Sequence, residues 1–312
     1  MIIDSSSRRN LELVETLREK QKRGSLLWVL DKTRTAMGAR LLRTYVEQPL
    51  IEKAEIIKRQ KLIEALNANE ITRDEIREYL NPIYDLERLI TRITYQSANP
   101  RDLIAFRDSL KMLPPIKQQL SDIPCELTDE INEEFDELKD IYELLLSSIE
   151  DEPPISQRDG DIIKAGYNEE VDRLRDAKTK GKTWLAELEA GEREKTGIKN
   201  LRIKYSKVFG YYLEVTNSFK DMVPDYYVRK QTLTNAERYI TPELKELEDT
   251  ILGAEDRLTS LEYELFRDVR KQISCNVSRI QKTARAIAQI DVFASLALVA
   301  SQNNYCKPKI NE

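Results

Sequence analysis

The feature that most constrains the fold is a run of apolar residues that follows Thr241-Pro242 at alternating intervals of three and four positions. The run comprises Leu244, Leu247, Ile251, Ala254, Leu258, Leu261 and Leu265. Such spacing, held over three heptads, is typical of a helix that packs along one narrow seam. Thr241 can cap the free backbone donors, and Pro242 suits the first helical turn. The sequence therefore predicts a long helix from about residue 242 that packs against a second helix.

A second stretch with helical spacing lies upstream, from about Asn168 to Lys195. Its apolar side comprises Val171, Leu174, Ala177, Gly181, Leu185 and Leu188. Each stretch has roughly 28 to 30 residues and would be on the order of 40 Å long at 1.5 Å per residue. Because the two lengths match, we predict an antiparallel pair. The chain would leave a helical body along one helix and return along the other.

The segment between these helices has the composition of a small β module. Leu201, Ile203 and Tyr205 alternate with polar residues, Gly210 permits a turn, and the pattern resumes in YYLEVTN. This arrangement predicts a β-hairpin, and residues 226–233 form a third predicted strand. The module would therefore cap the helical pair.

The chain before residue 198 shows no convincing alternation of apolar and polar residues. Helical patterns cover roughly residues 9–20, 35–48 and 51–66, and Asn99-Pro100 is a strong helix start. We therefore predict a mainly α fold: a helical core with a long antiparallel helical hairpin, capped by a small antiparallel β module.

Composition narrows the classes of function. The 312 residues include no histidine, which removes the commonest metal ligand and the usual base near neutral pH. The three cysteines lie far apart and form no CxxC pair. No apolar run in the sequence reaches membrane-spanning length. The start MIIDSSSRRN lacks the apolar stretch of a signal peptide. An enzyme is therefore the weakest interpretation, because no titratable groups converge.

Charge is distributed unevenly along the chain. The segment 195–238 contains nine Lys or Arg and four Asp or Glu, a net charge of +5, whereas the whole chain carries −5. A basic module on an acidic protein is typical of a surface that meets phosphate. Gln231, Thr234 and Asn235 add neutral side chains that can hydrogen-bond phosphate oxygens. Thr234 and Glu237 also fit a capping box, which predicts a helical turn at this point.

Other interpretations of the same residues stay open. Basic residues that alternate along a strand could simply form its solvated face. Thr234 and Asn235 could serve only as caps, and Tyr211 and Tyr212 could pack within the sheet instead of stacking on bases. A coiled-coil hairpin with a β cap could also be a protein-interaction scaffold that never binds DNA.

Gly181-Lys182-Thr183 copies the end of a phosphate-binding P-loop. That loop needs a glycine five positions before Gly181, where this chain has Asp176, and it also needs a preceding strand. Because the tripeptide lies inside a predicted helix, we expect no ATP site there. The many carboxylates lie along helix faces next to Lys and Arg, so we expect no metal site either.

Several stretches closely resemble the MutS family of bacterial DNA mismatch-repair proteins. They are SRRNLELVETLREKQKRGSLLWVLDKTRTAMGARLLRTYVEQPL, DLERLITRITYQSANPRDLIAFRDSL, GIKNLRIKYSKVFGYYLEVTN and RKQTLTNAERYITPELKELE. They occur in the family's order and extend over nearly the whole chain. The resemblance implies a helical core and lever domain formed by residues 1–181 and 242–312. It also implies an inserted clamp domain formed by residues 182–241.

The resemblance further implies that two clamps of a homodimer close around mismatch-containing double-stranded DNA and hold its backbone without reading its sequence. Lys230, Thr234 and Asn235 match the family's contact surface. The full predicted set of DNA-backbone residues is Lys204, Lys207, Lys230, Gln231, Thr234 and Asn235. Relatives often carry lysine where this chain has Thr234, so one charge is lost here.

The family's mismatch-reading domain and its ATPase domain have no counterpart among these residues. The chain therefore resembles a middle piece, and we expect it to be no enzyme and to hold no cofactor, with ATP and Mg²⁺ bound by the missing ATPase domain. Its levers would transmit ATP-dependent changes from that domain to the clamp. The expected setting is a cytoplasmic, nucleoid-associated bacterial protein that takes part in DNA repair with downstream mismatch-repair factors and contacts no membrane.

Overall fold

The structure is a computed structural model that describes residues 3–157 and 159–311. The chain divides into two compact units. Unit 1 comprises the residues up to Ile155 together with those from Arg267 onward, and unit 2 comprises Ser156–Phe266. The core and clamp boundaries implied by the family resemblance stay a prediction.

The described residues form α-helices and a single small sheet. The helices are α1 Ser5–Asn10, α2 Leu26–Leu30, α3 Ala36–Glu47, α4 Lys53–Ala68, α5 Glu70–Leu80, α6 Leu86–Thr94, α7 Pro100–Leu110, α8 Leu113–Ser121, α9 Glu126–Glu134, α10 Lys139–Ser148, α11 Glu169–Thr196, α12 Pro242–Ser274 and α13 Val277–Gln302. The strands are β1 Arg202–Ser206, β2 Gly210–Thr216, β3 Val228–Thr232 and β4 Ala236–Ile240, and a 3₁₀ helix covers Asn217–Met222. The mainly α fold with a small antiparallel β module is confirmed.

Unit 1 is organised around α13, which contacts α2 to α6 and α9. By length and composition alone, α13 could cross a membrane. This differs from the expectation that no apolar run of the sequence reaches membrane-spanning length. However, 72% of its most apolar window is buried among the surrounding helices. The apolar composition of α13 therefore suits the central helix of a packed core.

Sequence patterns located three helices of unit 1 correctly. The predicted helices at residues 35–48 and 51–66 are α3 and α4, and Asn99 caps α7 in a capping box with Asp102. The predicted helix over residues 9–20 is wrong, because α1 ends at Asn10. Glu12 adopts a left-handed φ of 50°, and its carboxylate accepts a hydrogen bond from the Leu17 amide at 2.7 Å. That turn ends the helical pattern.

In unit 2, α11 and the part of α12 up to Phe266 run antiparallel as predicted. Arg175 pairs with Glu262 at 2.5 Å and Lys178 pairs with Glu255 at 2.8 Å. Residue numbers therefore rise along one helix while they fall along the other. The observed starts also match the predictions, because Asn168 caps α11 and the Thr241 hydroxyl accepts from the Leu244 amide at 3.2 Å.

The seam of α12 is rotated slightly from the predicted heptad. Leu244, Ile251 and Leu258 are buried. The seam residues between and after them, Leu247, Ala254 and Leu261, are only half-buried. Glu248 and Glu262 are buried in place of those intervening residues. Polar groups on other segments bind both carboxylates, so ionic contacts and leucine packing share this seam.

The sheet is antiparallel with strand order β1-β2-β4-β3. The hairpin of β1 and β2 and the third strand are confirmed. The fourth strand, β4, was not foreseen. It pairs with both β2 and β3, so that Arg238 lies opposite Glu214 on one side and Gln231 on the other. Two hairpins that meet along β2 and β4 therefore make the module.

Candidate nucleic-acid interface

The two faces of the sheet differ in character. One face packs on α11 and α12 through a buried cluster that includes Leu213, Val215 and Tyr239. Burial and the adjacent Glu237 carboxylate raise the pKa of Tyr239 to about 12, so its hydroxyl stays protonated and donates to Glu237. The opposite face carries most of the strand cations.

Those cations on the open face are largely engaged within the sheet. Lys204 pairs with Glu214 at 2.7 Å, and the Arg238 guanidinium lies 4.0 Å from the same carboxylate. Arg238 also covers the Tyr212 ring at 4.4 Å. Tyr212 is buried, and Tyr211 is half-buried against Tyr205 at 5.1 Å between ring centroids. The tyrosines therefore pack within the sheet, and the open face offers little uncompensated charge.

The strand register separates the predicted site residues into two groups. Ser206 pairs with Gly210 at one end of the sheet, whereas Thr216 pairs with Ala236 at the other. Consequently Lys207, in the turn between β1 and β2, lies at the opposite end from Thr234 and Asn235. At about 3.3 Å per residue along β2, the two ends are roughly 20 Å apart.

The Lys207 end is held to α12. Gly210 adopts a φ of +73°, and the Tyr211 amide donates to the buried Glu248 carboxylate at 2.8 Å. Lys207 itself is exposed and forms no ion pair in the described part of the chain. Val208 beside it is 80% exposed. This end therefore presents one free cation together with apolar surface.

The Asn235 end is organised by Asn217, which the sequence did not single out. Its backbone amide donates to the Asn235 carbonyl at 3.1 Å, and its side-chain amide donates to the Thr234 carbonyl at 3.0 Å. Thr234 and Asn235 thus form an exposed hairpin loop, closed by a hydrogen bond from Leu233 to Ala236 at 2.8 Å. The predicted helical turn with a Thr234–Glu237 capping box is wrong, because Glu237 lies in β4 and pairs with Arg229 at 3.4 Å.

Two further cations lie at the Asn235 end. Lys199 precedes β1, where the Asn200 side chain donates to the Thr216 hydroxyl, and Lys220 lies in the 3₁₀ helix that follows β2. Both lysines are exposed and form no ion pair within the described residues. Asp221 is the neighbouring acid of that helix. Only the antiparallel pairing reveals that these lysines share an end of the sheet with Asn235.

Lys230 and Gln231 lie between the two ends, on strand β3. The register shifts between Arg229 and Gln231, so Lys230 occupies a bulge, and it is exposed without an ion pair among the described residues. Gln231 is half-buried, and its side-chain oxygen accepts from Arg238 at 2.8 Å. Gln231 therefore contributes to the network of the open face.

A buried carboxylate anchors the segment that leads into β3. Glu192, 2% exposed, accepts hydrogen bonds from Tyr227 at 2.7 Å, Tyr226 at 2.9 Å and Lys195 at 3.0 Å. Burial alone would raise the pKa of Glu192, but these donors outweigh it and lower the pKa. The ionised carboxylate therefore fastens the segment before β3 to α11.

The segment Gly181-Lys182-Thr183 does not form a phosphate-binding loop. Gly181-Lys182-Thr183 lies inside α11, where the backbone amides are used by the helix and Gly181 faces Ile251. No loop is present there to cradle phosphates. Across the described residues, no group of three or more Cys, Asp or Glu could hold a metal ion.

A family model for MutS domain III matches residues 6–297. The chain belongs to the MutS family. Three similar curated proteins are each called DNA mismatch repair protein MutS. The protein of Lachnoclostridium phytofermentans is 66% identical over 100% of this chain and 33% of its own length. The proteins of Ruminiclostridium cellulolyticum and Caldanaerobacter subterraneus subsp. tengcongensis are 54% and 56% identical over 100% of this chain and 36% of their own length.

The chain thus spans about a third of the length of these MutS relatives. The match to MutS domain III includes parts of both units, so the sheet and every candidate contact residue lie within it. The family resemblance drawn from the sequence motifs is therefore confirmed.

Proposed function

We propose that this MutS region acts in DNA mismatch repair and holds duplex DNA through the Asn235 end of its sheet. The contacts would be made by Thr234, Asn235, Lys199 and Lys220, with Lys230 beside them. The family assignment and the names of the relatives support a role on mismatched DNA. The distribution of unpaired cations supports this particular surface.

One observation carries the choice of surface. Lys204, Arg229 and Arg238 are each paired with a carboxylate. Among the described residues Lys199 and Lys220 form no ion pair and share one end of the sheet, whereas Lys207 is the single such lysine at the other end. Lys199 and Lys220 accompany a hairpin loop whose side chains are exposed. A free ammonium group attracts phosphate more strongly than one already paired, because a paired lysine must first give up its carboxylate.

Such a surface suits backbone contacts and carries little means to read bases. Lysine, threonine and asparagine side chains bind phosphate oxygens without sequence information. With about three phosphate contacts, the binding constant should fall with salt at a logarithmic slope of roughly −3. The isolated chain should therefore bind weakly and prefer low salt.

The test is fluorescence anisotropy of a labelled duplex at low salt, with two matched double variants. Lys199→Glu with Lys220→Glu reverses charge at the Asn235 end, and Lys204→Glu with Lys207→Glu does so toward the Lys207 end. We expect the first to reduce affinity more than tenfold and the second to have a much smaller effect. A larger loss from the second pair would move the interface to the Lys207 end.

If the wild-type chain binds no duplex at any salt concentration, DNA binding by this region is refuted. That result would favour the alternative of a helical scaffold that binds protein alone. A duplex with a mismatch should bind no tighter than a perfect one, because the proposed contacts are made only to the backbone.

We propose further that α11 and α12 act as levers in the whole protein. ATP and Mg²⁺ would bind in the part of a full-length MutS protein that lies outside these residues, and homodimerisation would bring two sheets around one duplex. Downstream repair factors and nucleoid association belong to the same proposal. Nitroxide labels at Thr234→Cys in both protomers of a full-length dimer would test it. An ATP-independent distance between the labels would count against lever motion.

A further inference from the structure

A groove of about 490 Å³ lies between α11 and α12 in unit 2. Leu188 and Leu247 contribute its apolar surface, and Trp184, 43% exposed, lies beside them. The lining runs from Trp184 to Lys195 along α11, which is roughly 16 Å at 1.5 Å per residue. An extended chain of about five residues has this length.

The groove is acidic. Glu187, Glu243 and Glu246 line it, are exposed, and form no ion pair within 4.0 Å in the described part of the chain. Lys195 also lines it, but its ammonium pairs with the buried Glu192 at 3.0 Å. Phosphate would be repelled from three carboxylates, so a nucleic acid is a poor occupant.

A glycine keeps the groove open. Gly191 lies within α11, where a helix glycine costs about 1 kcal/mol relative to alanine. Close packing accounts for Gly181, because Ile251 fills the space that its side chain would need. At Gly191, a β-carbon would meet no atom of the described residues within 4 Å. Packing therefore does not require a glycine at position 191. Because Gly191 lines the groove, a larger side chain there would occupy part of it.

We propose that this groove binds a short basic segment of a partner protein, with an arginine as its central contact. The guanidinium would stack on the Trp184 indole, as cations do on aromatic faces. It would pair with the nearby carboxylates, while an aliphatic neighbour covers Leu188 and Leu247. Arginine suits this combination of aromatic face and carboxylate better than lysine does.

The probe is a five-residue peptide of alternating arginine and leucine, which is titrated into the full chain. The chain carries Trp28→Phe, so that Trp184 is its remaining tryptophan and its fluorescence reports peptide binding. We expect saturable quenching. Gly191→Leu should remove it by filling the groove, and the helix should be no less stable because leucine is the better helix former. Gly253→Leu is the matched control, since Gly253 also has open space around it and does not line the groove.

Changing Glu187, Glu243 and Glu246 to Gln should weaken peptide binding about tenfold or more and leave the thermal midpoint near that of the wild type. Three outcomes would overturn the proposal. One is no quenching by the peptide at about 1 mM. Another is equal binding to Gly191→Leu. The third is equally tight binding of spermine, which would indicate a simple cation site with no role for the apolar surface.

Discussion

The side chain of Ile251 occupies the space that a β-carbon on Gly181 would need, with its Cγ1 only 2.5 Å from that position. Real β-carbons do not approach another carbon so closely. α11 and α12 can therefore lie this near to each other only because residue 181 has no side chain. The glycine lowers helix propensity by about 1 kcal/mol, so close packing must offset that cost.

Gly181→Ala should destabilise unit 2 by about 1–2 kcal/mol, because overpacking exceeds the gain in helix propensity. Gly253→Ala should instead stabilise unit 2 by up to about 1 kcal/mol, since the added β-carbon would meet no described residue within 4 Å. Urea unfolding followed by Trp184 fluorescence, with Trp28→Phe, measures both. If both alanine substitutions stabilise the protein, close packing of α11 on α12 does not require a glycine at position 181.

The sequence predicted the helical pair well and one strand of the sheet not at all. Caps at Asn168 and Thr241 and heptad leucines are local signals, and they located the starts of α11 and α12 within about a residue, although α12 continues to Ser274, beyond the predicted length. The β4 segment AERYI contains two charged residues and follows Thr234-Asn235, which imitates a helix start. Its buried Glu237 becomes acceptable only through the Tyr239 hydroxyl and Arg229, contacts that no local pattern reveals.

Charge counting located the basic module but not its surface. A sum over residues 195–238 cannot tell that Lys204 is paired with Glu214 while Lys220 forms no ion pair among the described residues. Nor can it tell that Lys207 and Asn235 lie at opposite ends of a sheet. Those distinctions depend on strand register, which is decided by pairing across the sheet.

The Glu192 carboxylate predicts an asymmetry between adjacent tyrosines. Tyr227→Phe should destabilise unit 2 by about 1–3 kcal/mol, because it removes a donor from a buried carboxylate. Tyr226→Phe should cost less, about 0.5 kcal/mol, because this tyrosine is 49% exposed and water can replace its hydroxyl. The same fluorescence-detected urea unfolding distinguishes them. Equal losses would mean that burial of the donor does not govern the contribution.

A pH dependence follows from Asp85 in unit 1. Burial would raise the pKa of Asp85, but Arg40, bonded to both carboxylate oxygens at 2.6 and 2.9 Å, lowers it below the ordinary 3.8. A lowered folded-state pKa stabilises the protein above pH 3.8, and this contribution is lost as the pH falls further.

Arg40→Met should therefore reduce stability near neutral pH by about 1 kcal/mol, because the Arg40 side chain is 41% exposed and solvent screens part of its attraction to Asp85. The difference from the wild type should shrink as the pH falls below about 4, because Asp85 is then protonated in both proteins. Arg43→Met is the control, since Arg43 pairs with Glu47 on the surface at 3.1 Å. Thermal unfolding across pH 3 to 7 checks the prediction. A difference that stays constant with pH would contradict it.

Asn217→Ala should loosen the loop that carries Thr234 and Asn235. The substitution removes the side-chain bond to the Thr234 carbonyl and keeps the backbone bond to Asn235, so we expect a loss of about 0.5–1.5 kcal/mol. Hydrogen exchange of the amides at residues 233–236 should quicken, and duplex affinity should fall a few-fold. Ser218→Ala, at the exposed adjacent position, should change neither quantity.

Thr234→Lys should strengthen duplex binding. The side chain of residue 234 is exposed in the hairpin loop near Lys199 and Lys220, so a lysine there adds a third free ammonium to the Asn235 end. One more phosphate contact should make the logarithmic salt slope more negative by about 0.9. Val208→Lys adds the same charge at the Lys207 end, where Val208 is 80% exposed, and should leave that slope nearly unchanged. Anisotropy titrations between about 20 and 200 mM salt measure both slopes. Equal steepening by the two lysines would show that net charge, and not position on the sheet, governs the grip on DNA.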